Sequence, residues 1–134
     1  MALRKGFRQL VDEAKSRITT IGLEQARARH GRADVVFVDL RDVRELEREG
    51  QIPGAFHCPR GMLEFWIDPD SPYYKDVFAP GKEFVFYCNA GWRSALACDV
   101  AQQMGLDRVV DLDGGFTAWK NAGLPVEERP RKKP

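Results

Sequence analysis

The sequence predicts an α/β protein: a small, mostly parallel β-sheet of about five strands flanked by helices on both faces. Two observations carry this. The runs "VVFVDL" (Val35 to Leu40) and "FVFYC" (Phe84 to Cys88) are nearly continuous apolar segments of strand length, as expected of strands covered on both sides. Around them lie stretches of helical length closed by glycine, such as "RDVRELEREG" ending at Gly50 and "SALACDVAQQMG" ending at Gly105. Strands that alternate with helices pair in parallel, because each crossover helix carries the chain back to start the next strand in the same direction.

The elements follow in order. "MALRKGFRQLVDEAKSRI" sets Leu3, Phe7, Leu10, Val11, Ala14 and Ile18 along one helical face, which predicts an N-terminal amphipathic helix over residues 1–18, lying on the domain or on a second subunit. The domain proper spans 19–126. It opens with a brief β-branched "TTIG" and a helical "LEQARARHG" closed by Gly31. After "VVFVDL" and the charged helix that Gly50 stops, "AFH" makes another short strand. The segment from Pro59 to Gly81 holds "GMLEFWID" and three further prolines, so it reads as a lid or wall with its own short helix. In the helix after "FVFYC", Leu96, Val100 and Met104 share one side and are expected to face the core. "VVDL" is the last strand and "FTAWKNAG" the last helix, closed by Gly123 and Pro125. Residues 127–134 carry Arg129, Arg131, Lys132 and Lys133 between prolines and read as a basic, disordered tail.

Composition narrows the function classes. The 134 residues carry a formal charge of +1, with 43% apolar and 31% charged residues, which gives no electrostatic reason to expect nucleic acid as a partner. No apolar run approaches a membrane span, and the N-terminus lacks both the apolar core of a signal peptide and, with Asp12 and Glu13, the acid-poor character of a transit peptide. Three cysteines, Cys58, Cys88 and Cys98, form an odd and sparse set, which points to reduced thiols and a cytoplasmic location. No C-x-x-C spacing occurs and His57 beside Cys58 has no second ligand pair, so no metal site is expected. Asp68 and Asp70 in "DPDS" read as turn formers rather than calcium ligands.

Cys88 stands apart from the other two thiols. It closes a strand just before a helix start, where free backbone N–H groups and the helix dipole stabilise negative charge by about 0.3–1 kcal/mol. Gly91 permits a backbone conformation closed to other residues, so that successive N–H groups turn inward as an anion nest, and Arg93 adds a positive charge. That is a cradle for a thiolate or for an anion bound to it. Buried cysteines in strands need no chemistry, and Cys58 and Cys98 are read in that way.

Four ordered motifs resemble the rhodanese family: "VDLRD" (Val38 to Asp42), "GQIPGA" (Gly50 to Ala55), "YCNAGWRS" (Tyr87 to Ser94) and "LDGGFTAWKNAGLP" (Leu112 to Pro125). One departure is Gln51, where the family usually has histidine, and it is expected to affect a turn contact. The resemblance covers about Thr19 to Pro125 and implies a single-domain, rhodanese-like sulfurtransferase. It assigns Cys88 as the nucleophile that carries a sulfane sulfur as a persulfide, from a donor such as thiosulfate or another persulfide to a thiol, a dithiol protein or cyanide. No cofactor is implied. Backbone N–H groups across Asn89, Ala90, Gly91, Trp92 and Ser94 would hold the anionic sulfur, and Arg93 the anionic donor. Asp39 or its neighbour would brace the loop, and Arg41 would form a structural ion pair.

Trp92 is expected either to wall the persulfide or to pack on the 59–81 segment, with Met62, Phe65 and Trp66 as an opposite wall. His30, His57, Gly114, Gly115 and Trp119 read as structural. Two other function classes compete with the transferase. A non-catalytic binding or regulatory module would not need the thiol. A phosphatase or arsenate reductase of related fold would have five residues between cysteine and arginine, whereas Asn89, Ala90, Gly91 and Trp92 make four.

Overall fold

A computed structural model describes residues 2–131 and bears out the α/β alternation. Five strands, β1 (Thr20–Ile21), β2 (Val35–Asp39), β3 (Phe56–His57), β4 (Glu83–Tyr87) and β5 (Val109–Leu112), form one sheet in the order β1-β5-β4-β2-β3. Every neighbouring pair is parallel. The long apolar runs lie side by side at the centre, with Val35 opposite Glu83 and Asp39 opposite Tyr87. The chain leaves β2 toward β3 on one side and β4 toward β5 on the other. The crevice between the carboxyl ends of β2 and β4 is therefore the switch point at which sites form in open parallel sheets.

Alternation along the strands separates two cores. Val38, Leu40, Phe84, Phe86 and Cys88 face one side with Ala97, Cys98 and Ala101 of α5 (Trp92–Met104) and Leu63 and Ile67 of α4 (Leu63–Ile67). Phe37, Val85, Tyr87 and Leu112 face the other with Ala26 of α2 (Leu23–Arg29) and Phe116 and Trp119 of α6 (Gly115–Asn121). The buried face of α5 is its small-residue face. Leu96 and Val100 are half-buried and Met104 is exposed, contrary to the expectation that they lead the core, because α5 turns Ser94, Ala95, Ala97, Cys98 and Ala101 inward instead.

The N-terminal helix is shorter than its apolar pattern: α1 runs Phe7–Arg17, so Leu3 lies outside it. It buries Val11 and Ala14 and is pinned to α5 by Arg17, which donates to both carboxylate oxygens of Asp99 at 2.9 and 2.7 Å. The 59–81 segment does contain its own helix, α4, with short 3-10 turns at Arg60–Met62 and Asp76–Phe78. Asp68 caps its turn by accepting from the Asp70 N–H at 2.8 Å. Gln51 pairs with Glu127 through two backbone hydrogen bonds of 2.9 and 2.8 Å, so the chain past Val126 is held as far as that bridge. Lys132 and Lys133, which the expected tail includes, lie outside the described residues.

Two glycines show how tightly the sheet ends are packed. Gly115 has φ +56°, and a Cβ there would stand 2.5 Å from the Cys88 carbonyl oxygen and 2.7 Å from that of Asn89. Gly123 also has positive φ, +75°, but open space around it. Gly123→Ala is expected to cost only the left-handed backbone penalty, about 1–2 kcal/mol. Gly115→Ala should cost more than that and displace the loop after β4. Urea denaturation of the two variants side by side checks this, and equal losses would contradict it.

Candidate active site

Cys88 lies one residue past β4 and is only 1% exposed. Its loop closes at Gly91, whose φ of +109° and ψ of 1° make it the N-cap of α5 in a conformation that favours glycine. That twist turns the Gly91 N–H onto Cys88 Sγ at 3.2 Å, and the Ser94 N–H reaches the same sulfur at 3.4 Å. The thiol in turn donates to Ser94 Oγ at 3.4 Å. Outside the ring, the carbonyls of Cys88 and Asn89 accept from the N–H groups of Phe116 and Thr117 at 2.8 and 3.1 Å, at the start of α6. The Thr117 hydroxyl adds a bond to Asn89 Oδ1 at 3.1 Å. With its carbonyls held outward, the loop presents its N–H groups inward.

Arg93 follows in the first turn of α5, with its side chain 40% exposed. Its two terminal nitrogens donate to the two carboxylate oxygens of Glu45 at 2.7 and 3.0 Å. Glu45 sits in the first turn of α3 (Val43–Glu49), where it also accepts from the Asp42 N–H at 3.1 Å in a capping box with Asp42. The hydrogen bonds from Arg93 hold the Glu45 carboxyl below the usual range, and Glu45 raises Arg93 in return, with Cys88 adding a smaller contribution. Glu45 is absent from the sequence reading because a charged residue on a charged helix looks like a solvated face. The Asp42-x-x-Glu45 capping spacing was its one signal.

Asp39 and Arg41 form a fully buried pair at the end of β2. Arg41 donates to Asp39 Oδ2 and to the Gly50 carbonyl, both at 2.8 Å, and Asp39 Oδ1 accepts from the Arg41 N–H at 3.0 Å. Burial works against the charge of Arg41, and the Asp39 carboxylate overrides it, so its pKa lies above the usual value. Nη1 of Arg41 is buried without a hydrogen bond among the described residues, 3.6 Å from Glu49. The guanidinium carbon lies 4.2 Å from the centroid of Phe116, the residue whose N–H holds the Cys88 carbonyl. Asp39 pairs with Arg41, while its neighbour Leu40 donates its N–H to the carbonyl of Tyr87, the residue before Cys88, at 2.9 Å.

Trp92 is 48% exposed and packs on Phe7 of α1, with ring centroids 4.9 Å apart, rather than on the 59–81 segment. Arg8 lies over both rings, at 5.2 and 5.6 Å. Of the expected opposite wall, Trp66 packs on Phe56 at 5.8 Å and Phe65 is exposed. His57 and His30 each bond a backbone carbonyl, of Arg41 and Pro53. Burial pushes the thiols of Cys58 and Cys98 each up to about 12, so both stay protonated at neutral pH.

The family model of the rhodanese-like domain matches residues 22–122. The chain belongs to the rhodanese family. It is 37% identical over 93 residues to a sulfurtransferase of Allochromatium vinosum, spanning 69% of this chain and 78% of that one. Among solved structures, it is similar to a Rhodopseudomonas palustris protein of unknown function described as a possible tyrosine phosphatase, at 54% identity and TM-score 0.91, covering 95% of this chain and 98% of that one. It also resembles EanB, solved with ergothioneine covalently linked to a persulfide cysteine, at 26% identity and TM-score 0.66 over 84% of this chain and 32% of that one. Within this rhodanese-family chain α1 precedes the matched span, yet its Phe7 meets Trp92, the first residue of α5.

The Arg93–Glu45 pair has a defined pH signature. Because folding lowers the Glu45 pKa, the stability it contributes is present above the unfolded value, near 4.5, and is lost as pH falls through the lower folded value. The stability difference between wild type and Glu45→Gln should therefore be constant at neutral pH, below about 1 kcal/mol for so open a pair, and vanish on acidification. Urea midpoints at several pH values check this, and a difference that grows toward acid would contradict it.

Proposed function

We propose that this rhodanese-family protein is a sulfurtransferase that carries sulfane sulfur on Cys88. The observation that carries the reading is a buried thiol onto which two backbone N–H groups converge at a helix start. Membership of the family and the likeness to the A. vinosum sulfurtransferase support it, as does the persulfide cysteine of EanB. In the first half-reaction the Cys88 thiolate attacks the outer sulfur of thiosulfate. A Cys88–S bond forms, and the bond to the sulfonate sulfur breaks, sulfite leaving with the electron pair. An acceptor thiolate or cyanide then attacks the outer sulfur, and Cys88 departs as thiolate. The N–H groups of the loop hold the negative charge in both steps.

Arg93 is the cation nearest this chemistry in the loop, and Glu45 holds it in a fixed fork. An anionic donor competes with Glu45 for that guanidinium, which makes Arg93 a recognition group as well as a strut. Three free thiols support a cytoplasmic setting as part of this reading. Thiosulfate, a small persulfide or a persulfidated protein would load Cys88, and a small thiol or dithiol protein would unload it.

The R. palustris likeness favours one second reading, a phosphatase acting through the same cysteine. The four-residue span from Cys88 to Arg93 speaks against it, since the loop N–H groups already close on a single sulfur atom.

Intact-mass spectrometry of the reduced protein, before and after thiosulfate, tests the main reading. Wild type should gain one sulfur atom, a thiol should remove it, and Cys88→Ser should gain none. Turnover of an aryl phosphate by wild type but not by Cys88→Ser, with no sulfur gained from any donor, would replace this reading with the second. A donor comparison tests Arg93: Arg93→Ala should raise the KM for thiosulfate about tenfold or more while changing an uncharged persulfide donor less. Equal losses with both would leave Arg93 a strut only.

A further inference from the structure

Trp92 and Arg93 are the two residues between Gly91 and Ser94, whose N–H groups touch Cys88 Sγ. The Trp92 backbone is therefore part of the cradle. Its ring is 48% exposed and lies 4.9 Å from that of Phe7, itself 50% exposed. Leu10, three residues past Phe7 and so its neighbour on the surface of α1, is 45% exposed. The Arg8 guanidinium lies over both rings, 5.2 Å from the Phe7 centroid and 5.6 Å from that of Trp92. Large apolar side chains with a cation laid on them thus form one exposed patch that begins at the cradle.

The positive charge of this patch is uncompensated. α1 and α5 run in the same direction, since Phe7 meets Trp92 at their starts and Arg17 meets Asp99 farther along. The positive ends of both helix dipoles therefore lie together, and neither first turn holds an acid. Arg8 stands in the first turn of α1, where a cation opposes the dipole and does nothing for the helix. Lys5 is engaged by Glu13 and Arg17 by Asp99, but Arg8 forms no ion pair among the described residues, Asp12 one turn on included. Arg93, next to Trp92, is held by Glu45.

Charge selects among the occupants of such a patch. A second copy of this chain, paired about a two-fold axis, would set the same basic patch against itself. A membrane surface would take the apolar face of α1, but Val11 and Ala14 of that helix are already buried. An acidic partner answers the open cation, and contact with the cradle suits a partner that exchanges sulfur there. We propose that Phe7, Leu10, Trp92 and Arg8 dock an acidic, cysteine-bearing segment of a protein that accepts sulfur from Cys88. Apolar side chains of the segment lie on the rings and a carboxylate pairs with Arg8. The proposal rests on the reading of Cys88 as a sulfur carrier. In the step it serves, the partner's thiolate attacks the outer sulfur of the Cys88 persulfide. The S–S bond breaks, Cys88 leaves with the electron pair as thiolate, and the partner departs as the persulfide.

The test is the rate at which persulfidated Cys88 is unloaded by three thiols. They are the capped peptide Glu-Asp-Leu-Cys-Leu-Asp-Glu, its twin with lysine in place of each acid, and 2-mercaptoethanol. The ratio of kcat/KM for the two peptides, compared between protein variants, cancels the different reactivities of their thiols. Arg8→Glu should lower the acidic-to-basic ratio about tenfold or more, and Arg8→Lys should keep most of it. Phe7→Ala should slow both peptides. 2-Mercaptoethanol should unload wild type and the three variants at the same rate, because it needs only the cradle. An unchanged ratio in Arg8→Glu would overturn the proposal. Equal losses with 2-mercaptoethanol would also overturn it, leaving α1 as a support for the loop. Without a peptide preference, a dimer in sedimentation velocity or binding to phosphatidylglycerol vesicles, lost in these variants, would replace the acidic segment with a second copy or a membrane. If no donor loads Cys88, fluorescence anisotropy of the labelled acidic peptide, with serine for its cysteine, reads docking without sulfur chemistry. Binding to wild type about tenfold tighter than to Arg8→Glu would then uphold the docking surface while the sulfurtransferase reading falls, and equal binding would overturn it.

Discussion

The site depends on two hydrogen bonds that lie outside it. The N–H groups of Phe116 and Thr117, in the first turn of α6, would have no partner within their own helix. They take the carbonyls of Cys88 and Asn89 at 2.8 and 3.1 Å. A peptide whose C=O is fixed outward directs the following N–H the other way, so this anchoring orients the loop toward its own centre. The close approach of two backbones requires that no side chain intervene, which is why Gly115 stands at the contact. The anion-binding capacity at the start of α5 is thus imposed from the start of α6, and the cradle is shaped before any sulfur is transferred.

Two arginines frame the site in opposite electrostatic settings. Arg41 is fully buried, and its charge persists because Asp39, the Gly50 carbonyl and the faces of Tyr87 and Phe116 surround it. Removing one partner of such a pair leaves an uncompensated charge and costs about 3–5 kcal/mol, so this pair fixes the end of β2 against α6. Arg93 is half open and its partner Glu45 belongs to a different helix. A pair of that kind contributes little to stability and can exchange partners. The buried arginine supports the scaffold, and the open one is free to meet an anion.

Much of this was legible from sequence, for physical reasons. The core strands announce themselves because both faces are covered, which leaves no polar alternation to confuse "VVFVDL" or "FVFYC". The cradle was visible because Cys88, Gly91 and Arg93 are close in sequence and each residue type has a distinct role. Glu45 and Phe7 were not visible. Glu45 and Phe7 reach the loop from helices 48 and 85 residues away (93 − 45 and 92 − 7), and no periodicity encodes such a meeting. The pattern on α5 misled for a related reason: large apolar residues suggest a core face, but a helix pressed against a sheet buries its small ones.

The size of the cradle limits what it can hold. Both the Gly91 and Ser94 N–H groups already point at a single sulfur atom, at 3.2 and 3.4 Å. A persulfide would lengthen that side chain by only one atom, and the N–H groups of Trp92 and Arg93, in the first turn of α5, have no helical acceptor of their own. A tetrahedral oxyanion would instead have to enter beside Sγ and draw several N–H groups to separate oxygens. That needs a wider ring than four residues between Cys88 and Arg93 provide, while α6 fixes the loop from outside and Gly115 leaves no slack against it. The same rigidity that shapes the cradle therefore favours a linear extension of the cysteine over a bulky anion placed next to it.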